Sequence, residues 1–290
     1  MVYEEFSASL GWNSLVPENN TLISITDTPK SDASFLLLQI LSQTLGQTKD
    51  NEVVILLSFN HIFQHYARIL RKLGTKAEVF RDSGRFCFVD GLTESSFMSS
   101  FKQFHVNTSE NISAQMKPDA FITNINNLET TEAVRSLMNS IDEAFEAARN
   151  KNGNENTVIK GVFIHGFSVL SDIGCNSTTT RMFIDTLREY LENVGNGFLV
   201  VHSFADPDIV IDNDPTCDYT STVSGLLHRS DMILQVEPLV SGYSVDVTGQ
   251  ISIINKPDYK PFIPGPHLIH YKILENKILF FAPGQKPIYS

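Results

Sequence analysis

The chain has 290 residues, 42% of them hydrophobic, and carries 22 Lys and Arg against 33 Asp and Glu, a net charge of −11. That length suffices for one large α/β domain or two small ones with a sizeable core, and the composition is that of a globular protein. The acidic balance argues against strong nucleic-acid binding through the whole surface, because phosphate neutralisation supplies most non-specific affinity; a local basic patch or a basic partner chain stays open.

The first apolar strand covers residues 22–25 and runs into a polar loop, 26–32, and then a helical pattern over 34–45, with Gly46 as its left-handed cap. In a nucleotide-binding α/β domain this junction holds a loop of the form G-x-x-x-x-G-K-[ST]. Its backbone N–H groups close on phosphates while the Lys and hydroxyl residues serve phosphate and magnesium. Here Lys30 and Ser31 keep the last two places, both glycines are absent, and Pro29 removes an amide. Lys30 and Ser31 are therefore the candidate cofactor-binding residues of a remnant nucleotide loop, set against the ordinary alternative of a solvated loop lysine.

Residues 52–59 are continuously apolar, as in a strand covered on both faces. A helix is expected over 61–73, with Ile62, Tyr66, Ile69 and Leu73 inward and Gly74 as its stop. Residues 77–89 read as a second strand region, 95–104 as a helix followed by a mobile loop. The clearest long helix spans 130–149, with Ala133, Leu137, Ile141, Ala144, Phe145 and Ala148 at helical spacing. Buried strands follow over 158–163 and 197–204, separated by an amphipathic helix over 178–194. Past Asp206 the pattern changes to short strands at 234–240, 243–247, 250–254, 268–273 and 277–281, joined by turns such as Ser241-Gly242 and Glu275-Asn276. Alternation of strand and helix implies an α/β fold, a mostly parallel sheet flanked by helices and finished by C-terminal antiparallel hairpins. No composition break divides it, so residues 1–290 are read as a single domain.

Phosphoryl transfer needs an acidic residue at the end of a buried strand. The strand ending at Ile164 leads instead into His165-Gly166-Phe167-Ser168, with no carboxylate before Asp172. No catalytic residue is assigned. Ser168 invites comparison with the G-x-S-x-G elbow of esterases, but Leu170 replaces the second glycine, and His267, His270, Asp206 and Asp246 offer no unique triad. His61 and His65 stand four apart without the Glu of a zinc-protease helix, and are read as a His pair at or near the surface. The three cysteines, Cys87, Cys175 and Cys217, are too scattered for a disulfide framework or a zinc site, so no metal is expected. Neither a secretory signal nor an apolar run of ~20 residues is present, which fits a reducing intracellular compartment. Arg68, Arg71, Lys72, Lys76, Arg81 and Arg85 gather six cations within 18 residues, diluted by Glu78 and Asp82. They form either a solvated face or a contact for a nucleic-acid backbone or acidic partner.

The stretch Val245-Asp246-Val247-Thr248-Gly249-Gln250-Ile251-Ser252-Ile253, followed by His267-Leu268-Ile269-His270-Tyr271-Lys272-Ile273 and Glu275-Asn276-Lys277-Ile278-Leu279-Phe280-Phe281, resembles the tail of the sixth-subunit family of the Elongator complex. In that family a DVTG turn precedes a strand and a hairpin with a Glu-Asn turn closes the domain. The chain length, the first strand near residue 22 and the missing phosphate loop match as well, so the resemblance extends over most of the chain.

The resemblance implies a RecA-like fold lacking a phosphate loop of the usual form. It implies a non-catalytic subunit that joins Elongator subunits four and five in a heterohexameric ring, two copies of each, which docks on the catalytic subcomplex and binds tRNA. It further implies that the complex modifies wobble uridine in tRNA, and that the chain is cytoplasmic, with the nucleus a second location. Any ATP would sit at ring interfaces, and the chain itself would hold no cofactor. Lys30 and Ser31 would face that nucleotide, and Arg68, Arg71, Lys72, Arg81 and Arg85 would contact RNA or a neighbouring subunit. The alternative function is a RecA-like ATPase with an unorthodox or shared nucleotide site.

Overall fold

The computed structural model describes residues 6–7, 10–12, 14–91, 121–122, 130–205, 217–256 and 268–285. Strand β1 (Leu22–Asp27) leads through helix α1 (Ser34–Gln47) to β2 (Glu52–Ser58), then α2 (Phe63–Lys72), α3 (Ala77–Asp82), β3 (Phe86–Asp90) and the two-residue β4 (Phe121–Ile122). Helix α4 (Thr130–Asn152) precedes β5 (Val158–His165), α5 (Val169–Asp172), α6 (Ser177–Asn193), β6 (Phe198–Phe204), α7 (Asp218–Arg229) and β7 (Met232–Glu237); β8 (Gly249–Asn255), β9 (Leu268–Ile273) and β10 (Ile278–Phe281) close the chain.

All ten strands form one sheet in the order β10-β9-β8-β7-β1-β6-β5-β2-β3-β4. From β7 to β4 every pairing is parallel, and β8, β9 and β10 continue the sheet antiparallel. The continuous apolar runs are explained by cover on both faces. Ile23, Ile25, Val54, Leu56 and Phe163 pack with α1 and α2, while their alternate neighbours Leu22, Val53, Ile55, Val162 and Ile164 pack with α4 and α6. The N-terminal segment joins the first of these layers, Phe6 stacking on Phe280 at 4.1 Å.

Several expected elements are displaced. Gly46 lies inside α1, which ends at Thr48 with an extended ψ of 125° rather than in a left-handed cap. Helix α2 buries Phe63, Tyr66, Ala67 and Leu70, whereas Ile62 precedes it and is 49% exposed. Gly74 does stop that helix, at φ +89°. The first half of the expected strand over 77–89 is α3: the run Ala-Glu-Val-Phe is too short for periodicity to decide, and Val79 faces solvent. Helix α7 was not expected at all. Its Thr, Ser and Gly residues have low helix propensity, and tertiary packing of Thr220, Thr222, Val223 and Leu226 overrides it. Residues 243–247 form no strand, with Tyr243 almost fully exposed. The helix expected over 95–104 lies outside the described residues.

The Thr248-Gly249 corner has a physical reason for its glycine. Thr248 N–H donates to Tyr271 O at 2.8 Å, and a Cβ on Gly249 would lie 2.6 Å from the Tyr271 hydroxyl and 2.8 Å from Glu237 O. The β9–β10 hairpin turns at Glu275-Asn276 as expected, closed by Leu274 N–H to Lys277 O at 2.9 Å.

Candidate functional site

The parallel strands end along one edge of the sheet, the edge where ligands bind in open α/β folds. Their register aligns the polar residue that terminates each apolar run: Asp90 opposite Ser58, Ser58 opposite His165, and His165 opposite His202. All four are buried.

At the head of α1, the Asp27 carboxylate Oδ2 accepts from Ala33 N–H at 3.1 Å and from His202 Nε2–H at 3.0 Å. Asp32 accepts from Ser34 N–H at 2.8 Å. Helix N-termini attract anions through their unpaired N–H groups and the helix dipole. Two of those groups here are already held by the chain's own carboxylates.

The preceding loop is closed on itself. Thr28 and Ser31 exchange backbone hydrogen bonds at 3.1 and 3.3 Å, and their hydroxyls lie 2.9 Å apart. Ser31 also donates to Val236 O at 2.7 Å, and Lys30 N–H donates to the Thr28 hydroxyl at 3.3 Å. Lys30 itself is exposed. Sequence reasoning picked out Lys30 and Ser31; the neighbouring Asp27, which fills the head of the helix, it passed over.

A second network runs beside the first. His165 is fully buried, and burial together with His202, His61 and His65 lowers its pKa from 6.5 to about 2, so the ring is neutral. Its Nε2 accepts from the Ser34 hydroxyl at 3.0 Å and Asn60 Nδ2 at 3.3 Å. The proton therefore sits on Nδ1 and is donated to Tyr66 Oη at 2.6 Å; Tyr66 donates to Ser58 Oγ at 2.5 Å, and Ser58 to His61 O at 2.9 Å. Burial raises the Tyr66 pKa strongly, so its hydroxyl stays protonated. The adjoining Gly166 adopts φ +85°, and a Cβ there would overlap the Asn60 side chain. The network holds its protons in fixed places and contains no activated nucleophile or base.

The other sequence candidates are spread apart. Ser168 is buried, and its hydroxyl accepts Phe204 N–H at 3.3 Å. His270 lies on β9, separated from β6 by β8, β7 and β1, while Asp206 and His267 fall outside the described residues. His61 and His65 stack at 3.9 Å on the surface, and among the described residues no group of three or more His, Cys, Asp or Glu is placed to hold a metal ion. Cys87 and Cys175 are buried thiols, pushed up to about 12 and about 11 by burial.

The basic cluster divides. Arg68, Arg71 and Arg81 line a surface depression of about 340 Å³ between α2 and α3, together with Phe63 and Glu78. Arg71 is paired with Glu78, and the Arg81 guanidinium lies over the Phe63 ring at 4.7 Å and 3.4 Å from Asp82. Arg85 is turned away, 3.6 Å from Asp50 and over the Phe80 ring at 4.9 Å. Arg68 and Lys72 are exposed and form no ion pair with any described residue.

The sheet order and the helices on both faces define a RecA-like domain, with a turn closed on itself between β1 and α1. A solved structure shares the fold: an uncharacterised protein from Pyrococcus horikoshii, in complex with an unknown peptide, superposes with a TM-score of 0.62 over 97% of this chain and 98% of its own at 16% identity. The family model described as Elongation complex protein 6 matches residues 3–275, and the chain belongs to that family, which makes it a subunit of the Elongator complex. Relatives named Elongator complex protein 6 include those of Homo sapiens, 27% identical over 89% of each chain, and Mus musculus, 28% identical over 93% of each. The relative from Dictyostelium discoideum is 24% identical over 91% of each chain. None of the described helices is long and apolar enough to cross a membrane.

Proposed function

We propose that this single-domain chain is a non-catalytic subunit of a heterohexameric RecA-like ring formed with Elongator subunits four and five, and that the ring binds tRNA and supports wobble-uridine modification by the catalytic subcomplex. The observation that carries the non-catalytic part is the Asp27 carboxylate at the head of α1, bonded to Ala33 N–H and His202. It occupies with protein charge the place where a RecA-like enzyme holds phosphate, so a nucleotide there would meet a buried like charge. The Lys30 N–H and the Ser31 hydroxyl then hold a closed turn, and any ATP of the ring sits at its interfaces. Arg68, Arg71 and Arg81, with the exposed Lys72, are proposed contacts for RNA phosphate; Arg85, tied to Asp50, serves the subunit or its neighbour. The cytoplasm, with the nucleus second, is the proposed location.

Native mass spectrometry of the complex purified gently from its own cells, with ATP turnover on the same sample, tests this reading. The expected mass requires two copies each of three related chains, with turnover unchanged by Lys30→Ala and Ser31→Ala. A lone homo-oligomer that hydrolyses ATP, or turnover abolished by those substitutions, overturns it in favour of an ATPase with an unorthodox site.

A further inference from the structure

Beside the buried networks, and sharing Asn60 and His202 with them, lies a cleft of about 470 Å³. Asn60, Ser168, Asp172, His202, Phe204 and Tyr219 line it, so its walls come from the ends of β2, β5 and β6 and from α5 and α7. No cation is among the lining residues.

The floor presents a hydrogen-bond acceptor. His202 is 3% exposed, and in the tautomer that donates Nε2–H to Asp27 the lone pair sits on Nδ1. That Nδ1 is buried and has no hydrogen-bond partner among the described residues. Such an atom in a buried position is normally paired. At the rim, the Asp172 carboxylate forms no ion pair or hydrogen bond with any described residue, and partial burial raises its pKa. Two aromatic rings complete the wall. Tyr219 is fixed by its hydroxyl donating to Phe204 O at 2.7 Å, and such faces attract a flat cation.

Asp172 gives the lining an acidic group, and no Lys or Arg among the lining residues opposes it. A phosphate-bearing ligand would be repelled by that charge, whereas a donor-rich cation would be attracted.

We infer that this cleft is a docking slot for the guanidinium of an arginine carried by a partner chain of the complex. The guanidinium donates to Asp172 and to the His202 Nδ1 lone pair and lies against the Phe204 and Tyr219 rings. Arginine fits better than lysine because its planar fork of donors can serve two acceptors while stacking on an aromatic face. The inference needs the chain to have partners, but does not depend on tRNA binding or on a ring of any particular stoichiometry.

The test uses the purified full-length chain and a blocked tripeptide, acetyl-Gly-Arg-Gly-amide, titrated by calorimetry or amide NMR shifts. Its citrulline counterpart keeps the shape and removes the charge. Saturable binding of the arginine peptide is expected, weakened at least about tenfold with citrulline and equally in Asp172→Asn, whose melting midpoint should match wild type. Equal binding of the two peptides, full binding by Asp172→Asn, absence of saturation, or displacement by a nucleoside monophosphate overturns the inference. In the assembled complex, a photo-crosslinking residue at Val169 should label a partner peptide that contains arginine. Labelling of RNA, or only of this chain, counts against it.

Discussion

Truncating Asp27 to Ala isolates the effect of the carboxylate that fills the head of α1. The substitution leaves two fully or nearly buried donors, Ala33 N–H and His202 Nε2–H, without their acceptor. A hydrogen bond to a charged group contributes about 1.5–3 kcal/mol, and an orphaned buried donor costs about 1–3 kcal/mol. The two losses share one acceptor and overlap, so the expected destabilisation is about 3–4 kcal/mol. Asp27→Asn keeps the shape and one acceptor oxygen, and should lose about half as much. Urea unfolding of the full-length chain at constant m reads both values, and for a chain of this size each kcal/mol shifts the thermal midpoint by about 2 °C. The vacated space at the helix N-terminus should also accept a small anion. Millimolar inorganic phosphate is therefore expected to restore part of the stability of Asp27→Ala while leaving wild type unchanged. A loss below about 0.5 kcal/mol, or equal stabilisation of both proteins by phosphate, would refute the reasoning.

Acid should weaken the fold through His165. Its folded pKa, about 2, lies below the 6.5 of an unperturbed histidine, so between those values the unfolded chain binds the extra proton. Stability is then complete above pH 6.5 and falls as the pH drops below it, by up to about 1.4 kcal/mol per unit from this group. Denaturant titrations between pH 7 and pH 5 should show that slope in wild type and a flatter one in His165→Asn. Reversing charge at Arg68, Arg71 and Arg81 together is expected to weaken tRNA binding by the assembled complex. A plot of log affinity against log salt should flatten by about one unit for each arginine–phosphate pairing removed; an unchanged slope would remove the depression from the RNA path. Ser31→Ala removes donation to Val236 O and should cost about 1 kcal/mol in denaturant unfolding. Lys30→Ala, at an exposed side chain, should leave the unfolding midpoint where it was.

Much of the fold was legible because its causes are local. Doubly covered strands must read as continuous apolar runs, and 52–59, 158–163 and 197–204 each lie on the strands found. The long amphipathic helix at 130–149 carries its own period, and the missing glycines around Lys30 exclude a phosphate loop of the usual form by residue type alone. The Gly249 corner and the Glu275-Asn276 hairpin were visible as turn chemistry, and carried the family resemblance.

The site was not legible in the same way. Asp27, Ser58, Asp90, His165 and His202 each close an apolar run, and that repeated polar ending was the available signal. What it could not convey is that parallel pairing sets Ser58, His165 and His202 side by side, or that α2 turns Tyr66 inward to bridge two of them. Helix α7 likewise exists through contacts with α5 and α6, made by Thr222 with Ser171 and Thr180, against its own propensity. The sequence by itself determined the class of fold and the absence of a conventional phosphate loop, since both follow from residue type and spacing along the chain. Only the tertiary structure decided that a carboxylate from β1 fills the head of α1 and that a cleft opens beside it. Those outcomes depend on register and burial between segments as much as 175 residues apart, which no local pattern encodes.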